Sequence, residues 1–257
     1  ILTFSTRRIA RYKQWRPIMM STASTPIIEF RESCLIPRFK TDFLELTSSA
    51  SKLYSSMLPL RLFCMPETGG HLNVAMHAYY YAGGYQERDD MWENKARDNE
   101  WQSHLQSYNS FLEHEKSQIF VESSLVSKID QVQSLISTDI QANGGKCIFE
   151  IRRYNLILGY DTVPKFLELY EAGLPSKLCA EGTDPTTSLI TLMYSEVGRL
   201  NEVIEIWRHG DGVGAMERSR VAARGASLWR KSISEIAPLA IQFTSTICKP
   251  LAVSPMK

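Results

Sequence analysis

A ten-residue segment of this chain occurs twice, with the two copies 128 residues apart. The clearer copy is Leu200–His209 and the weaker one is Leu72–Tyr81. Trp101 matches Trp229 at the same separation, so the register is kept over a long stretch. A chain of 257 residues can form one large domain or two small ones. The repeat predicts two units with the same order of strands and helices.

Both copies alternate like a β-strand with two chemically different faces. Leu200, Ile204 and Ile206 share one face of the second copy, interrupted by Glu202, and we expect this face to form core beneath a helix. The matching face of the first copy comprises Leu72, Val74, Met76, Ala78 and Tyr80. The opposite faces are predicted to line one interior shared by both halves: Asn73, His77, Tyr79, Asn201, Glu205, Trp207 and His209.

Charged residues on the opening strand of each half are the predicted partners of that interior. Glu29 and Arg31 share a strand face, and Glu150 and Arg152 do the same in the second half. Arg31 and Arg152 complete the candidate cavity lining. The polar groups either form a satisfied buried network or bind a polar ligand and exchange protons near neutral pH. The first alternative is favoured.

The charge pattern argues against nucleic-acid binding. Residues 24–125 carry nine basic and 14 acidic side chains, and residues 146–257 carry 14 and 12, so neither half is strongly basic. The five cysteines form no closely spaced pair, which favours free thiols over a metal site. No apolar run approaches the roughly 20 residues of a membrane span.

Residues 1–23 carry five basic and no acidic side chains, with apolar residues between them. This composition is typical of a mitochondrial transit peptide, and a solvated basic tail is the alternative. We expect residues before about Ser21 to lie outside the fold and to direct import.

The rest of the chain is predicted to comprise two domains, 24–125 and 146–257, joined by a linker at 126–145 with a short helix within 127–140. Each domain has the order strand, helix, strand, strand, helix, strand of the ferredoxin-like plan, which makes the fold α+β. In the first domain we expect helix over Gln86–Lys116 and the last strand over Ser117–Ser123. Because helices cover only one face of each sheet, the two sheets should pack face to face within the chain.

Other candidate sites are weaker. Trp101 and Trp229 are predicted to be core residues rather than contact residues. Arg218, Arg220 and Arg224 favour a solvated helix face over a site for phosphate or acidic lipid. His71 and His209 are each a candidate haem ligand, but a single histidine is weak evidence for a haem site. No Ser-His-Asp set, zinc spacing or nucleotide motif is apparent, so no catalytic residue, metal or cofactor is predicted.

Several segments of the sequence resemble the NIPSNAP family. They are Phe149–Tyr154, Tyr194–Asn201, Ile206–Arg208 and, in the first half, Ala96–Trp101. The likeness covers residues 24–257 as two tandem domains and is stronger in the second. The first half departs from it, since Glu32 and Ser33 stand where a tyrosine is usual and Trp92 where an arginine is common.

The resemblance implies a dimeric α/β-barrel arrangement within one chain and a mitochondrial location, in the matrix or associated with a membrane. It also implies a non-enzymatic interaction or scaffold role, linked to mitochondrial quality control or vesicle trafficking. The expected partners are other proteins, and self-association and peripheral membrane contact are further possibilities that the resemblance leaves open. The alternative function is a small-molecule-binding or oxygenase-like enzyme that uses the barrel interior.

Overall fold

The computed structural model describes residues 24–129, 132, 135 and 146–257. The basic segment 1–23 and the other residues of the joint lie outside this part of the chain. The predicted transit segment and most of the helix predicted within 127–140 fall among those residues.

The first half contains four strands and four main helices, followed by a single helical turn. Its elements are β1 Ile27–Leu35, a 3-10 turn Pro37–Phe39, α1 Lys40–Ser49, α2 Ser51–Met57, β2 Leu60–Thr68, β3 Val74–Tyr81, α3 Gly84–Arg97, α4 Asn99–Ser110, β4 Leu112–Glu122 and α5 Leu125–Lys128.

The second half contains four strands and three helices. Its elements are β5 Ile148–Leu156, α6 Thr162–Leu178, β6 Thr187–Val197, β7 Glu202–His209, α7 Val213–Gly225, α8 Ser227–Ile236, a 3-10 turn Ala237–Leu239 and β8 Ala240–Pro250. The bounds of β7 and β8 are those of β3 and β4 displaced by 128 residues.

All eight strands form one closed barrel in the order β1-β3-β2-β8-β5-β7-β6-β4. Every neighbouring pair is antiparallel. Two pairs, β2 with β8 and β4 with β6, join the halves. The predicted α+β class and the meeting of the two sheets within one chain are therefore confirmed.

The assignment of strand faces made from the sequence is reversed in the structure. Ile204 and Ile206 point into the barrel, where they share an apolar core with Met76 and Ala78 of the first half. Trp207 belongs instead to a second core between the sheet and the helices of its own half. Leu72 and Leu200 are exposed next to the β-turns and do not contribute to the core. The barrel interior is largely apolar, while Tyr79 and Tyr81 of β3 and Glu205 and Trp207 of β7 lie on the side of the helices.

An ionic network at the edge of this interior connects the halves. Arg153 on β5 contacts Glu202 at 2.9 Å and Glu32 of β1 at 3.2 Å. Gln118 of β4 donates a hydrogen bond to Glu202 at 3.0 Å. Glu202, which interrupts the apolar face of β7 in the sequence, is therefore a buried and paired residue of the barrel.

The helix predicted over Gln86–Lys116 is divided into α3 and α4, and β4 begins at Leu112 rather than near Ser117. Residues His114–Lys116 are paired with β1 but are exposed, so they lack the apolar alternation by which a strand is recognised. Residues 69–73 join β2 and β3 as an antiparallel hairpin. Its Gly69 has φ +86° and lies so close to the Ser245 carbonyl that a Cβ would be 2.2 Å from the oxygen. No helix among the described residues is long and apolar enough to span a bilayer.

Candidate functional site

A cavity of about 680 Å³ lies in the second half, between the outer face of the sheet and helices α6, α7 and α8. Trp207, Trp229 and Phe243 give it aromatic walls, while its polar groups include two buried charged residues and several arginines. The lining includes Glu150, Arg152, Lys177, Trp207, His209, Ser219, Arg220, Ala223, Arg224, Trp229, Arg230, Phe243 and Ser245.

The polar floor of the cavity follows from the register of β5 with β7. Glu150 is opposite Trp207 and Arg152 is opposite Glu205. Because successive side chains alternate between the faces of a sheet, these four share the helix-facing side. Their neighbours Ile151 and Ile206 face the barrel interior.

Glu150 is buried at the centre of a cluster of donors. Arg152 Nε lies 2.6 Å from its carboxylate, Arg220 lies 2.5 Å away, and the Ser245 hydroxyl donates at 2.6 Å. Burial alone would raise the pKa of Glu150, but His209, Arg152 and Ser245 hold it well below the usual value. The carboxylate is therefore ionised and compensated at neutral pH.

Glu205 is fully buried beside this cluster. It accepts hydrogen bonds from Tyr154 at 2.9 Å, from Trp207 Nε1 at 2.7 Å and from Tyr170, and Arg152 lies 3.4 Å away. Against the effect of burial, Lys177 and Arg152 keep the pKa of Glu205 below its ordinary value. Three neutral donors and an arginine thus fix a carboxylate that water does not reach.

Lys177 is the least compensated charge of the site. Its side chain comes from the last turn of α6, and Gly173 one turn earlier lets that helix approach α8, since a Cβ there would meet Ser232 at 2.5 Å. Its Nζ lies 3.6 Å from the Trp207 ring centroid and 4.6 Å from that of Trp229. It makes no hydrogen bond with the described residues. Burial, with a contribution from Arg152, lowers the pKa of Lys177 to about 7.

His209 closes one side of the cavity floor. Its Nδ1 lies 2.9 Å from the Thr187 hydroxyl, which also accepts a hydrogen bond from Ser219. Its Nε2 lies 3.5 Å from Glu150. Burial lowers the pKa of His209, with Glu150 opposing that effect, so the imidazole is neutral at pH 7. The neutral imidazole of His209 can accept or donate a proton, but it adds no charge to the cavity floor.

The equivalent region of the first half has a volume of only about 30 Å³. Glu29 is surrounded much like Glu150, with Arg31 at 2.8 Å, Arg88 at 2.9 Å and the Ser117 hydroxyl at 2.7 Å. Arg31 and Arg88 hold the pKa of Glu29 at about 2 despite its burial. Trp92 lies beneath Arg31, 4.3 Å from its guanidinium.

His77 occupies the place in β3 that Glu205 occupies in β7. Its ring nitrogens lie 2.7 Å from the Tyr79 hydroxyl and 3.1 Å from the Tyr108 hydroxyl, and its ring stacks against Phe63 at 4.0 Å. Burial, and to a lesser extent Arg31, lowers the pKa of His77 to about 3. A neutral imidazole inside a filled aromatic cluster replaces the buried carboxylate of the second half.

The structure divides the predicted cavity-lining residues between two separate places. Arg152, Trp207 and His209 line the large cavity with Glu205 next to them, and Arg31, His77 and Tyr79 line the small one. The prediction of one shared interior is wrong, because the barrel core separates the two groups. Asn73 and Asn201 precede β3 and β7 in the connecting turns, and the Asn201 side chain donates to the Ile157 carbonyl.

Trp101 and Trp229 are buried, as predicted for core residues. Of the arginines of α7, Arg218 and Arg224 are exposed, as predicted for a solvated face, and Arg218 pairs with Asp184 at 2.5 Å. Arg220 is only partly exposed and pairs with Glu150. His71 is exposed in the β2–β3 turn, so it does not share a site with His209. Within the described ranges, one group of potential metal ligands, Cys34, Glu113 and His114, has its ligand atoms within 4.8 Å of one another on the surface.

Sequence reasoning did not identify Lys177. The available signal was its position on the apolar face of α6, where a lysine continues the buried series. That series is Phe166, Leu169, Tyr170, Gly173, Leu174 and Lys177.

Comparisons with known proteins support the fold. No protein-family model matches the sequence, and no curated protein matches it either. A protein from Fusobacterium nucleatum proposed to be a monooxygenase is 11% identical, with alignment over 89% of this chain and 93% of that one and a TM-score of 0.60. One from Lactobacillus acidophilus, also proposed to be a monooxygenase, is 9% identical over 88% of this chain and 94% of that one, with a TM-score of 0.58.

Solved structures of NIPSNAP family proteins are also similar to parts of this chain. One of unknown function from Agrobacterium tumefaciens is 24% identical, and the alignment covers 46% of this chain and 100% of that one with a TM-score of 0.39. The alignments that extend over nearly the whole chain establish the single-chain α+β barrel as its fold.

Proposed function

We propose that this chain is a small-molecule-binding protein whose cavity in the second half takes an organic ligand with a flat, largely apolar body. The observation that carries the proposal is the cavity itself, about 680 Å³ between aromatic walls and a charged floor. This volume lies in the range found for small-molecule sites. Such sites also combine apolar walls with a few convergent polar groups, as this cavity does.

The first half supports this interpretation because it shows that the fold does not require such a space. The same arrangement of sheet and helices there leaves about 30 Å³. An open cavity next to three buried charged groups therefore favours a functional role over incomplete packing.

Oxygenase-like chemistry is the enzymatic form of this proposal. Two of the similar solved structures are of proteins proposed to be monooxygenases. In this chain, His209 and the buried amine of Lys177 are the groups placed to take a proton from a bound ligand. Oxygen consumption that depends on a bound ligand and disappears in Lys177→Met would support it.

A fluorescent titration tests ligand binding directly. We expect the neutral dye N-phenyl-1-naphthylamine to bind the cavity, giving a blue-shifted emission that saturates at one dye per chain. Ala223→Phe, which places a ring inside the cavity from α7, should abolish that binding. Val221→Phe on the exposed face of the same helix is the matched control and should bind as the wild type does. Equal binding by both variants would refute the proposal.

A mitochondrial interaction protein is the second candidate function. It is supported by the sequence resemblance to NIPSNAP proteins and by exposed apolar side chains at the end of β5. Leu158 is 86% exposed, Tyr160 is fully exposed, and Ile241 lies on β8 beside the end of β5 and is 71% exposed. Leu158→Asp should weaken capture of a partner protein without changing dye binding, and a reporter carrying residues 1–23 should enter mitochondria.

We also propose that the halves are tandem ferredoxin-like repeats. The coinciding bounds of β3 with β7 and β4 with β8 support this, as does the order β4-β1-β3-β2 in one half and β8-β5-β7-β6 in the other. Separate expression of residues 146–257 tests the proposal, since a repeat unit should self-associate to cover its apolar sheet face.

A further inference from the structure

Lys177 lines the cavity while its ammonium group lacks a hydrogen-bond acceptor among the described residues. Its side chain is buried, with 8% of the residue exposed. The faces of Trp207 and Trp229 give it partial compensation, because a cation over an aromatic ring is attracted by the ring quadrupole. A buried ammonium usually has a carboxylate or carbonyl partner.

The nearby carboxylates are already engaged by other donors. Glu205 accepts from two tyrosines and an indole and faces Arg152. Glu150 accepts from Arg152, Arg220 and Ser245. Both attract the charge of Lys177, but neither accepts a hydrogen bond from its ammonium group in the described structure. The acceptor missing from this site is therefore expected from outside the protein.

We propose that the ligand of this cavity is an organic anion, and that its carboxylate, sulfonate or phenolate group is received beside the Nζ of Lys177. This inference rests on the proposed function, since it assigns the charge of the ligand whose apolar body the aromatic walls accommodate. The basic residues around the cavity favour the same sign of charge. They are Arg152, Lys177, Arg220, Arg224 and Arg230, against the one lining carboxylate Glu150.

Binding of an anion is coupled to protonation of Lys177. In the free protein burial brings the pKa of Lys177 to about 7. An anion next to it stabilises the charged form and raises that pKa. Above pH 7 the amine must take up a proton as the anion binds, so the affinity for an anion falls as pH rises, by up to about tenfold per pH unit.

Above pH 7, the other groups that face Lys177 are not expected to take up a proton when an anion binds. On β5, Arg152 has a raised pKa and Glu150 a lowered one. On β7, Glu205 and His209 both have lowered pKa values. Arg220 on α7 pairs with Glu150, α8 contributes Trp229, and β8 contributes Ser245. The pKa of Tyr170, on the same helix as Lys177, is far above 10.

Two dyes with the same body separate this inference from the proposed function. They are 8-anilinonaphthalene-1-sulfonate, which is an anion, and the neutral N-phenyl-1-naphthylamine. We expect the Kd of the anionic dye to rise progressively between pH 7 and 9, while that of the neutral dye changes less than about twofold. Calorimetry in two buffers of different ionisation enthalpy should show uptake of up to one proton with the anionic dye at pH 8.

Lys177→Met should weaken the anionic dye by roughly 10- to 150-fold, as expected for a charged hydrogen bond, and remove the proton uptake. Lys95→Met is the matched control. Lys95 is also buried without a hydrogen bond and lies 3.5 Å from the Trp92 ring centroid, but the adjoining space is only about 30 Å³.

Failure of both dyes to bind would overturn the proposed function together with this inference. Binding of the neutral dye, with anionic binding that is independent of pH and of Lys177→Met, would overturn the inference alone. If Lys177→Met does not fold, the two-buffer calorimetry of the wild type decides, because absence of proton uptake at pH 8 contradicts the assignment.

Discussion

The two halves of this barrel have the same arrangement of strands and helices, yet the cavity between the central strands and the helices has a volume of about 680 Å³ in one half and about 30 Å³ in the other. Both place a buried Glu-Arg pair on their opening strand, Glu29 with Arg31 and Glu150 with Arg152. The backbone plan and the charged floor therefore do not decide whether a ligand has room.

A few side chains make the difference. Trp92 and Tyr108 both line the small cavity of the first half. The residues 128 positions later are Arg220 and Ile236. Arg220 reaches out to Glu150 and leaves the space open, while the indole of Trp92 fills the corresponding space under Arg31. Aromatic substitution on the helices, rather than change in the sheet, separates a packed half from one with a binding site.

The halves also differ in the group at the centre of the sheet. The ionised Glu205 is held by several hydrogen-bond donors, whereas the neutral His77 contacts the hydroxyls of Tyr79, Tyr108 and Ser33. Breaking a buried charged pair costs about 3 to 5 kcal/mol, compared with about 1 kcal/mol for an ordinary hydrogen bond.

Glu205→Gln should therefore lower the free energy of unfolding by about 3 kcal/mol. The amide has one acceptor oxygen for two tyrosines and an indole, and it no longer neutralises Arg152. His77→Gln, at the equivalent position, should cost about 1 kcal/mol. Urea denaturation of the two variants measures both losses. Equal losses would show that the two centres are energetically alike.

Tyr108→Ile introduces into the first half the residue type found 128 positions later. We expect a loss of about 2 kcal/mol, since the ring leaves a cavity and the hydrogen bonds to Ser33 and His77 disappear. Urea denaturation measures this loss, since the vacated space remains too small for a two-ring dye. A loss below about 1 kcal/mol would mean that Tyr108 is not the residue that keeps this half closed.

The sequence predicted the strands well because their alternation and the repeat confirm each other. Two strands, β3 and β7, have matching polar and apolar positions, and the structure places them equivalently. β4 was harder to delimit, since its first half is exposed and charged and has no apolar side to mark it.

The error about the strand faces has a physical cause. Alternation identifies which residues share a face, but not which face is turned toward the helices. Glu205 and His77 suggested an interior between the sheets, yet Ile204 and Met76 occupy that interior. The charged pairs on β5 and β1 were recognised from the sequence, whereas Lys177 was missed because its environment depends on the approach of α6 to α8 at Gly173.

Acid should lower the free energy of unfolding through His77 and through Glu205 at different pH values. His77 has a pKa of about 3 when folded and an ordinary value near 6.5 when unfolded, so the unfolded chain binds the extra proton first. Stability is therefore lost through His77 as pH falls from 6.5 toward 3. The lowered pKa of Glu205 gives a stabilisation that is retained above its ordinary value of 4.5 and lost as pH falls below it.

Between pH 6.5 and 4.5 the wild type should lose about 2 kcal/mol more than His77→Gln. Urea denaturation at half-unit pH intervals measures the difference, with the exposed His114→Gln as the control variant. Parallel curves for wild type and His77→Gln would show that the imidazole is not kept neutral by its burial.

Arg220→Trp makes the converse change, because it gives the second half the residue that occupies the equivalent position in the first. Arg220 is partly exposed, and Glu150 retains Arg152 and Ser245 when it is replaced. The loss of that pair and the burial of an indole act in opposite directions, so we expect stability to change by less than about 1 kcal/mol. Dye binding should nevertheless be abolished, since the ring would occupy the cavity. Arg218→Trp, on the same helix but away from the lining, should leave dye binding intact. If Arg220→Trp still binds the dye with wild-type affinity, the aromatic residue on this helix is not what distinguishes the closed half from the open one.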